Sequence, residues 1–276
     1  MHPDGLQREL GRREQGENFP VALKLLPGAP REGLHAIYAY ARTVDELGDS
    51  LPGDRTAALH AFADDLDRIW TDRHPAHPVL RRLEPVVRAH GLPADPFHRL
   101  IQANLQDQTV TRYRTFDDLV GYCRLSADPV GRMVLGVFHV NDPETERLSD
   151  LVCTALQLVE HWQDVAEDRR AGRIYLPQED LTSYGVPESD LDQPAASEAL
   201  RRLMIFETDR AARMLAEGAA IVRRLHGWAR VSVAGFVAGG QATVRALRRT
   251  GGDVLAHEAR PSKAETVRLL IKAVAR

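Results

Sequence analysis

The segment LHAIYAYARTVDELGD (residues 34–49) combines an apolar helical stripe with two aspartates placed four residues apart. Its apolar side chains recur at steps of three and four residues, the spacing of one helix face: Leu34, Ile37, Tyr38, Ala41, Val44 and Leu47. Residues four apart in a helix have Cβ atoms about 5–6 Å apart on one side. The segment therefore predicts a core-facing helix that presents the carboxylates of Asp45 and Asp49 together.

A second pair of aspartates, Asp164 and Asp168, has the same spacing and follows another apolar stretch, LVCTALQLV (residues 151–159). Asp is a poor helix former and an unpaired buried carboxylate is costly, so the presence of two aspartates in each of these apolar helices requires an explanation. If the two helices face each other, Mg²⁺ bound between carboxylates and a phosphate would relieve the repulsion. The alternative is two solvated helix surfaces that carry Asp at this spacing by chance.

The helical period continues through most of the remaining chain. The predicted helices are 57–70, 79–90, 96–108, 116–123 with a continuation through 140, 148–170, 197–224, 228–249 and 264–275. Residues 178–194 are predicted to be the longest irregular segment. Neither alternating strands nor a Gly-rich phosphate loop is evident, and the breaks are short. The sequence therefore predicts an all-α fold, a single domain over residues 1–276 whose helices enclose a central site.

The composition restricts the classes of partner. The chain has 276 residues, 43% hydrophobic content and a formal net charge of −3, which does not indicate a nucleic-acid-binding protein. No run reaches the ~18 apolar residues of a spanning helix, and the N-terminus lacks the apolar core of a signal sequence. Cys123 and Cys153 are predicted to be free thiols, as in a reducing cytosol. The arginine excess from Arg245 to Arg276 fits a solvated helix face or contact with an anionic membrane.

Two arginines stand beside the aspartates. Arg42 precedes Asp45 by three residues, and Arg173 follows Asp168 across the Gly172 turn. A guanidinium group binds phosphate oxygens in a bidentate manner, so carboxylates, metal and arginines together describe a diphosphate site. Simple intrahelical salt bridges between Arg and Asp, worth under about 1 kcal/mol each, are the alternative.

Three motifs, in this order along the chain, resemble those of the squalene/phytoene synthase family. YAYARTVDELGD (38–49) is similar to the first aspartate-rich motif, RYRTFDDLVGYCRLSADPVG (112–131) to the intervening motif, and QLVEHWQDVAEDRRAGRIYLP (157–177) to the second. Weaker similarity spans almost the whole chain. Finer features, including ENFPVA (17–22) and the glycines at 239–240, resemble the bacterial hydroxysqualene synthases of hopanoid biosynthesis. The resemblance implies an isoprenoid synthase-type helical bundle around a central cavity.

The same resemblance implies a lyase that converts presqualene diphosphate to hydroxysqualene by Mg²⁺-assisted loss of diphosphate, carbocation rearrangement and water capture. One alternative is a prenyltransferase that joins two prenyl diphosphates head to head, giving presqualene diphosphate, squalene or phytoene. Another is a catalytically silent relative that acts in binding or assembly. The implied location is the cytoplasm. Because a C30 product is insoluble in water, peripheral contact at the inner face of the cytoplasmic membrane and handover to neighbouring pathway enzymes are further expectations.

The resemblance assigns metal ligands to positions that hold Mg²⁺ in the family: Asp45, Asp49, Asp164 and Asp168. Glu160 stands where the second motif usually carries Asn, and it adds a third carboxylate to that helix. The first motif, by contrast, ends in Asp49-Ser50 and contains Gly48. We therefore expect the metal ions to lie closer to the second helix, with Glu160 as an additional ligand.

The resemblance also assigns residues that bind the substrate: Arg42, Arg173, Tyr175, Tyr38, Gln157 and Gln163. Tyr38, Tyr122 and Gln157 match positions that line the cavity, where aromatic faces stabilise a carbocation. Ordinary core packing is the alternative for both tyrosines. Tyr122 is included with the four aspartates among the catalytic residues, and Tyr122 and Gln157 are both candidates for holding the water.

Overall fold

The computed structural model describes residues 26–275, so the motif at 17–22 and the N-terminus lie outside the described residues. In chain order the helices are α1 (Gly28–Asp49), α2 (Arg55–Leu66), α3 (Pro78–His90), α4 (Asp95–Gln106), α5 (Phe116–Ser126), α6 (Asp128–Val137), α7 (Pro143–Gln163), α8 (Val165–Arg170), α9 (Gln178–Tyr184), α10 (Glu198–Gly218), α11 (Ile221–Arg224), α12 (Gly227–Arg249) and α13 (Lys263–Val274). Two 3₁₀ turns span Asp67–Trp70 and Glu188–Asp192. The only β-type pairing in the described chain is a parallel bridge between Arg112 and Ile174. The predicted all-α fold is confirmed.

Two large groups of buried apolar side chains form most of the core, and a small third group joins α12 and α13. The first joins α1, α2, α3, α4 and α6 around residues such as Ile37, and the second surrounds α7, whose Trp162 is fully buried. Helix α6 contributes to both, with Met133 in the first group and Leu135 in the second. Phe138 packs against both groups. The continuity of the two groups supports a single domain, which stays a proposal.

Side-chain caps set the start of several helices. Asp54 accepts a hydrogen bond from the first turn of α2, and Asp142 does the same for α7. Thr115 and Asp118 form a reciprocal capping box at α5. These residues satisfy backbone N–H groups that have no partner within the helix. Gly91 ends α3 in the left-handed conformation that a residue without Cβ adopts readily.

The single helix predicted over 148–170 is interrupted. Helix α7 begins at Pro143, and Asp164 leaves helical geometry between α7 and α8, with φ −101° and ψ 13°. Asp164 N still donates to Glu160 O at 3.0 Å, and Asp168 N donates to Asp164 O at 2.8 Å. The break is therefore local, because backbone hydrogen bonds of helical spacing continue from α7 through Asp164 into α8.

The segment 178–194, predicted to be irregular, contains α9 and the second 3₁₀ turn. Leu181 of α9 is buried in the second core group, and Asp180 accepts a hydrogen bond from Arg210 of α10 at 2.8 Å. Tertiary contacts of these two residues hold a helix that is too short and polar to show a clear apolar period. The predicted helix 197–224 is likewise two helices, α10 and α11.

Two further expectations concern membranes and thiols. Within residues 26–275, no helix has both the length and the apolar character that crossing a membrane requires. Cys123 is buried, Cys153 is half-buried, and both are free thiols. Burial raises the pKa of both thiols, to about 12 for Cys153, so both are protonated at neutral pH.

Candidate active site

The aspartates of the first motif lie at the C-terminal end of α1, where both are exposed. Asn104 of α4 donates from Nδ2 to Asp45 Oδ1 at 3.4 Å and to Leu100 O at 3.2 Å. Gly48 permits this close approach of the two helices, because a Cβ at Gly48 would lie 2.1 Å from Asn104 Oδ1. Helix α4 thus fixes the end of α1 that carries Asp45 and Asp49.

The aspartates of the second motif straddle the break after α7. Asp164 occupies the break itself, and Asp168 Oδ2 in α8 lies 3.8 Å from His161 Nδ1. Partial desolvation, together with the charges of Asp168 and Glu167, raises the pKa of Asp164 to about 6. A bound cation would relieve both effects, since it favours the ionised carboxylates.

Arg173 links the two motifs. Its Nη2 donates to Asp49 Oδ1 at 2.7 Å, and its backbone N donates to Asp168 O at 2.8 Å. The adjoining residue is held by the parallel bridge between Ile174 and Arg112. Burial opposes the charge on Arg173, but the hydrogen bond to Asp49 and the charges of Asp49 and Asp107 together outweigh it, so the pKa of Arg173 lies above its ordinary value. The ends of α1 and α8 are therefore brought together through one residue, by its guanidinium group on one side and its backbone on the other.

Asp107, just after α4, belongs to the same site. Tyr122 donates from its hydroxyl to Asp107 Oδ2 at 2.6 Å. Burial raises the pKa of Asp107 to about 6, against the opposing effects of the Tyr122 hydrogen bond and the charge of Arg173. The other oxygen, Oδ1, is buried without a hydrogen-bond partner. Sequence reasoning did not identify Asp107, because a single Asp after a helix has no spacing pattern to mark it.

Tyr122 and Tyr175 are buried in an aromatic group with Tyr113 and His161. The His161 and Tyr175 rings are stacked with centroids 3.7 Å apart, and the Tyr122 and Tyr175 centroids are 5.7 Å apart. Burial raises the pKa of both Tyr122 and Tyr175 above the ordinary value. Their hydroxyls therefore stay neutral and act as hydrogen-bonding groups.

An apolar cavity of about 200 Å³ lies between α6, α7 and α12. Gln157 and Glu160 of α7 contribute polar groups to its wall. Gln157 Nε2 lies 3.3 Å from His161 Nε2, which connects the cavity to the aromatic group. Three residues were expected to line the cavity, and of these Gln157 is part of its wall. Tyr122 belongs to the aromatic group instead, with its ring centroid 6.2 Å from that of His161. Tyr38 is half-buried on α1.

Arg42 and Gln163 occupy different surroundings. Arg42 Nε lies 3.5 Å from Glu46 Oε1, and this nitrogen is buried without a hydrogen bond. Helical spacing places Arg42 on the same side of α1 as Tyr38 and the two aspartates. Gln163 donates from Nε2 to Ala259 O, so it ties the second motif to the connection between α12 and α13.

The arrangement of the carboxylates determines how they could hold a metal ion. Among residues 26–275, no group of three or more His, Cys, Asp or Glu side chains is assembled closely enough to hold an ion. Mg²⁺ does not need such a cage, because it commonly uses one or two carboxylates, water and substrate phosphate oxygens. The pKa of Asp164 is raised by desolvation and by like-charge repulsion, and Oδ1 of Asp107 lacks a hydrogen-bond partner; both observations fit a nearby cation.

The sequence is similar to a known family and to the hydroxysqualene synthases of two bacteria. The sequence model of the squalene/phytoene synthase family matches residues 12–265. The chain is 35% identical over 195 residues to hydroxysqualene synthase of Zymomonas mobilis. The matched region covers 70% of this chain and 65% of that protein. It is 32% identical over 209 residues to hydroxysqualene synthase of Rhodopseudomonas palustris, covering 75% of this chain and 71% of that protein.

The fold is also similar to a solved structure. Squalene synthase HpnC from Alicyclobacillus acidocaldarius superposes with a TM-score of 0.81 and 38% sequence identity. The match covers 91% of this chain and 97% of that one. The helical bundle and the sequence motifs therefore point to the same group of proteins.

Proposed function

Because the chain belongs to the squalene/phytoene synthase family, a family of isoprenoid diphosphate-processing enzymes, we propose that it converts presqualene diphosphate to hydroxysqualene in hopanoid biosynthesis. The observation that carries the proposal is the 2.7 Å ion pair between Arg173 and Asp49. It joins two carboxylate-bearing motifs, and the apolar cavity adjoins the second of them. A diphosphate with a long hydrocarbon tail requires that combination.

The reaction begins with loss of diphosphate. The bond between carbon and the diphosphate oxygen breaks, and its electron pair leaves with the diphosphate. Arg173 and Arg42 bind the departing group and stabilise its developing charge. Mg²⁺ ions, each bound by one or two carboxylates from among Asp45, Asp49, Glu160, Asp164 and Asp168, would neutralise further charge on the departing group. The guanidinium of Arg173 must then release Asp49 in part, since both the carboxylate and the diphosphate compete for it.

The carbocation then rearranges and is captured by water. The rings of Tyr122, Tyr175 and His161 offer π-faces beside the site, and the apolar cavity excludes water from the early cation. Water adds to the rearranged cation and releases one proton, which gives the alcohol. Gln157 is better placed than Tyr122 to hold this water, because the Tyr122 hydroxyl is bound to Asp107. Gln157→Leu would then lower the share of alcohol among the products.

The product also has to leave the protein. A C30 alcohol is insoluble in water, so we propose that the enzyme works in the cytoplasm at the inner face of the cytoplasmic membrane. The hydrocarbon is released there into lipid or passed to a neighbouring pathway enzyme. Vesicles added to the reaction should increase turnover under multiple-turnover conditions, and an unchanged rate would contradict this step.

Asp45→Asn and Asp164→Asn test the proposed site. Each should lower the rate of Mg²⁺-dependent diphosphate release by at least about 100-fold, the size expected for losing one main stabilising group. Asp64→Asn on α2 is the matched control, because Asp64 is an exposed aspartate on a helix that carries neither motif. Circular dichroism should show native helix content in all three variants. Full activity of both Asp45→Asn and Asp164→Asn would overturn the proposed site.

A further inference from the structure

The C-terminal helices carry a charge opposite to that of the whole chain. Between residues 221 and 275, Lys and Arg outnumber Asp and Glu by ten to three, whereas the formal net charge of the chain is −3. Much of the acidic charge in this region is already paired. Glu265 of α13, for example, accepts hydrogen bonds from Arg245 and Arg249 of α12. The remaining positive charge lies on the surface, where it favours an anionic partner.

Helix α13 also exposes large apolar side chains. Val267 and Ile271 are one turn apart and are 43% and 65% exposed. Helical spacing places them opposite Leu269, which is buried between α13 and α12. Arg268 and Lys272, which are both exposed, border one side of this outer apolar face. An apolar face bordered by cations is the pattern of a helix that lies in a membrane interface.

Neighbouring helices also expose apolar side chains. All four large hydrophobic side chains exposed within the described chain lie on α10, α12 and α13: Ile205, Trp228, Val267 and Ile271. The same helices and the α10–α11 connection line an open groove of about 780 Å³ with an apolar floor that includes Leu215 and Val244. Arg213, Arg223 and Lys272 stand on its rim, are exposed, and make no ion pair with any residue from 26 to 275.

This surface lies close to the candidate active site. Helix α12 contributes Val233 and Phe236 to the apolar cavity and Val237 and Val244 to the groove. Beside Gly240 the two linings adjoin, because an added Cβ there would contact both Leu156 of the cavity and Leu215 of the groove. The connection that leads into α13 also accepts the hydrogen bond from Gln163.

We infer that the outer face of α13, with the basic rim of the adjoining groove, is the surface on which the protein docks to an anionic lipid bilayer. Val267 and Ile271 enter the headgroup region, and Arg268, Lys272, Arg213 and Arg223 bind lipid phosphates. The membrane role rests on the proposed function, but the docking surface is a separate property that can be measured without turnover.

Vesicle flotation tests the apolar face. The full chain should float with vesicles of phosphatidylcholine and phosphatidylglycerol, and it should stay unbound with pure phosphatidylcholine. Val267→Glu/Ile271→Glu should weaken binding by at least about tenfold, since it removes two apolar anchors. Ala57→Glu/Ala61→Glu on α2 is the matched control, with the same spacing, exposure and added charge. The control should bind as the unaltered protein does.

A second pair of variants tests the basic border without adding negative charge. Arg268→Gln/Lys272→Gln should weaken binding by about fivefold for each cation removed, and more at low salt than at high salt. Arg81→Gln/Arg82→Gln on α3 is its control, because both of these arginines are exposed.

Three results would overturn the docking surface. These are failure of the unaltered protein to float with anionic vesicles, equal flotation of the Val267/Ile271 and Ala57/Ala61 variants, and a sedimentation change showing that α13 joins two copies instead. Turnover of presqualene diphosphate in detergent micelles separates this inference from the proposed function. Loss of vesicle binding with full turnover is expected of the α13 variants. Vesicle binding by a protein that lacks turnover would overturn the function and leave the docking surface standing.

Discussion

Arg173 shows how much of the site depends on one side chain. It contacts Asp49 through its guanidinium and Asp168 through its backbone, so it fixes the spacing between two motifs that are far apart in sequence. The sequence predicted both aspartate pairs and Arg173, because each has a regular spacing or a neighbouring charge. It could not predict Asp107, whose position depends on how the end of α4 packs against Tyr122. The roles of these residues stay predictions until variants are measured.

Glu207 of α10 predicts a pH effect on stability. It is fully buried, and its burial raises its pKa from 4.5 to about 8. A carboxyl group with a raised folded-state pKa contributes stability at low pH, and this is lost as pH rises from about 4.5 to about 8. If Glu207 is replaced by a neutral residue, Arg210 still has its hydrogen bond to Asp180 Oδ2 at 2.8 Å. The replacement therefore leaves no unpaired charge.

Glu207→Gln should therefore raise the melting temperature more at pH 8.5 than at pH 5, by several degrees. The difference should level off above pH 8. Differential scanning calorimetry across this range measures it, and Glu198→Gln, an exposed position on the same helix, is the control. A pH-independent difference between Glu207→Gln and the unaltered protein would contradict the assigned ionisation.

The packing of α1 against α4 positions the first motif. Asn104 is nearly buried and is held by Asp45 and Leu100, so it cannot move away cheaply from an added Cβ at Gly48. The sequence showed Gly48 as an interruption in an acidic motif. Only the crossing of two helices shows that it is the point of closest approach.

Gly48→Ala should destabilise the protein by about 1–3 kcal/mol, as overpacking does, and should also lower activity by displacing Asp45. Gly121→Ala in α5 is the matched control, because nothing lies within 4 Å of its added Cβ. That substitution should be neutral or stabilising, since Ala is favoured over Gly inside a helix. Urea unfolding of both variants measures the difference. Equal stability of Gly48→Ala and Gly121→Ala would contradict the packing described for α1 and α4.

Element boundaries were only partly predictable from the sequence. Helices with a strong apolar period, such as α12 and α13, were predicted within one residue at each end. The break at Asp164 was missed because the apolar period of α7 runs directly into the acidic motif. Helix α9 was missed because its stability comes from Asp180 and Leu181 contacting other elements. Periodicity reports the face of a helix but not its interruptions or its short polar turns.

At the scale of the whole molecule, the two core groups meet through α6 and Phe138. A continuous core predicts that the chain unfolds as one unit. Thermal unfolding followed by circular dichroism and by tryptophan fluorescence should give coincident transitions, since Trp70 packs in the first group and Trp162 in the second. Two separated transitions would contradict the proposed single domain.

The activity itself is tested most directly by product analysis. The full chain is incubated with presqualene diphosphate and Mg²⁺ in ¹⁸O-labelled water without NADPH, and the products are identified by mass spectrometry. Hydroxysqualene that carries the heavy oxygen, together with one diphosphate for each substrate molecule consumed, is the predicted result. Presqualene diphosphate left intact would contradict it. In that case, parallel consumption of farnesyl diphosphate would identify a head-to-head prenyltransferase, and consumption of neither substrate would identify a catalytically silent relative.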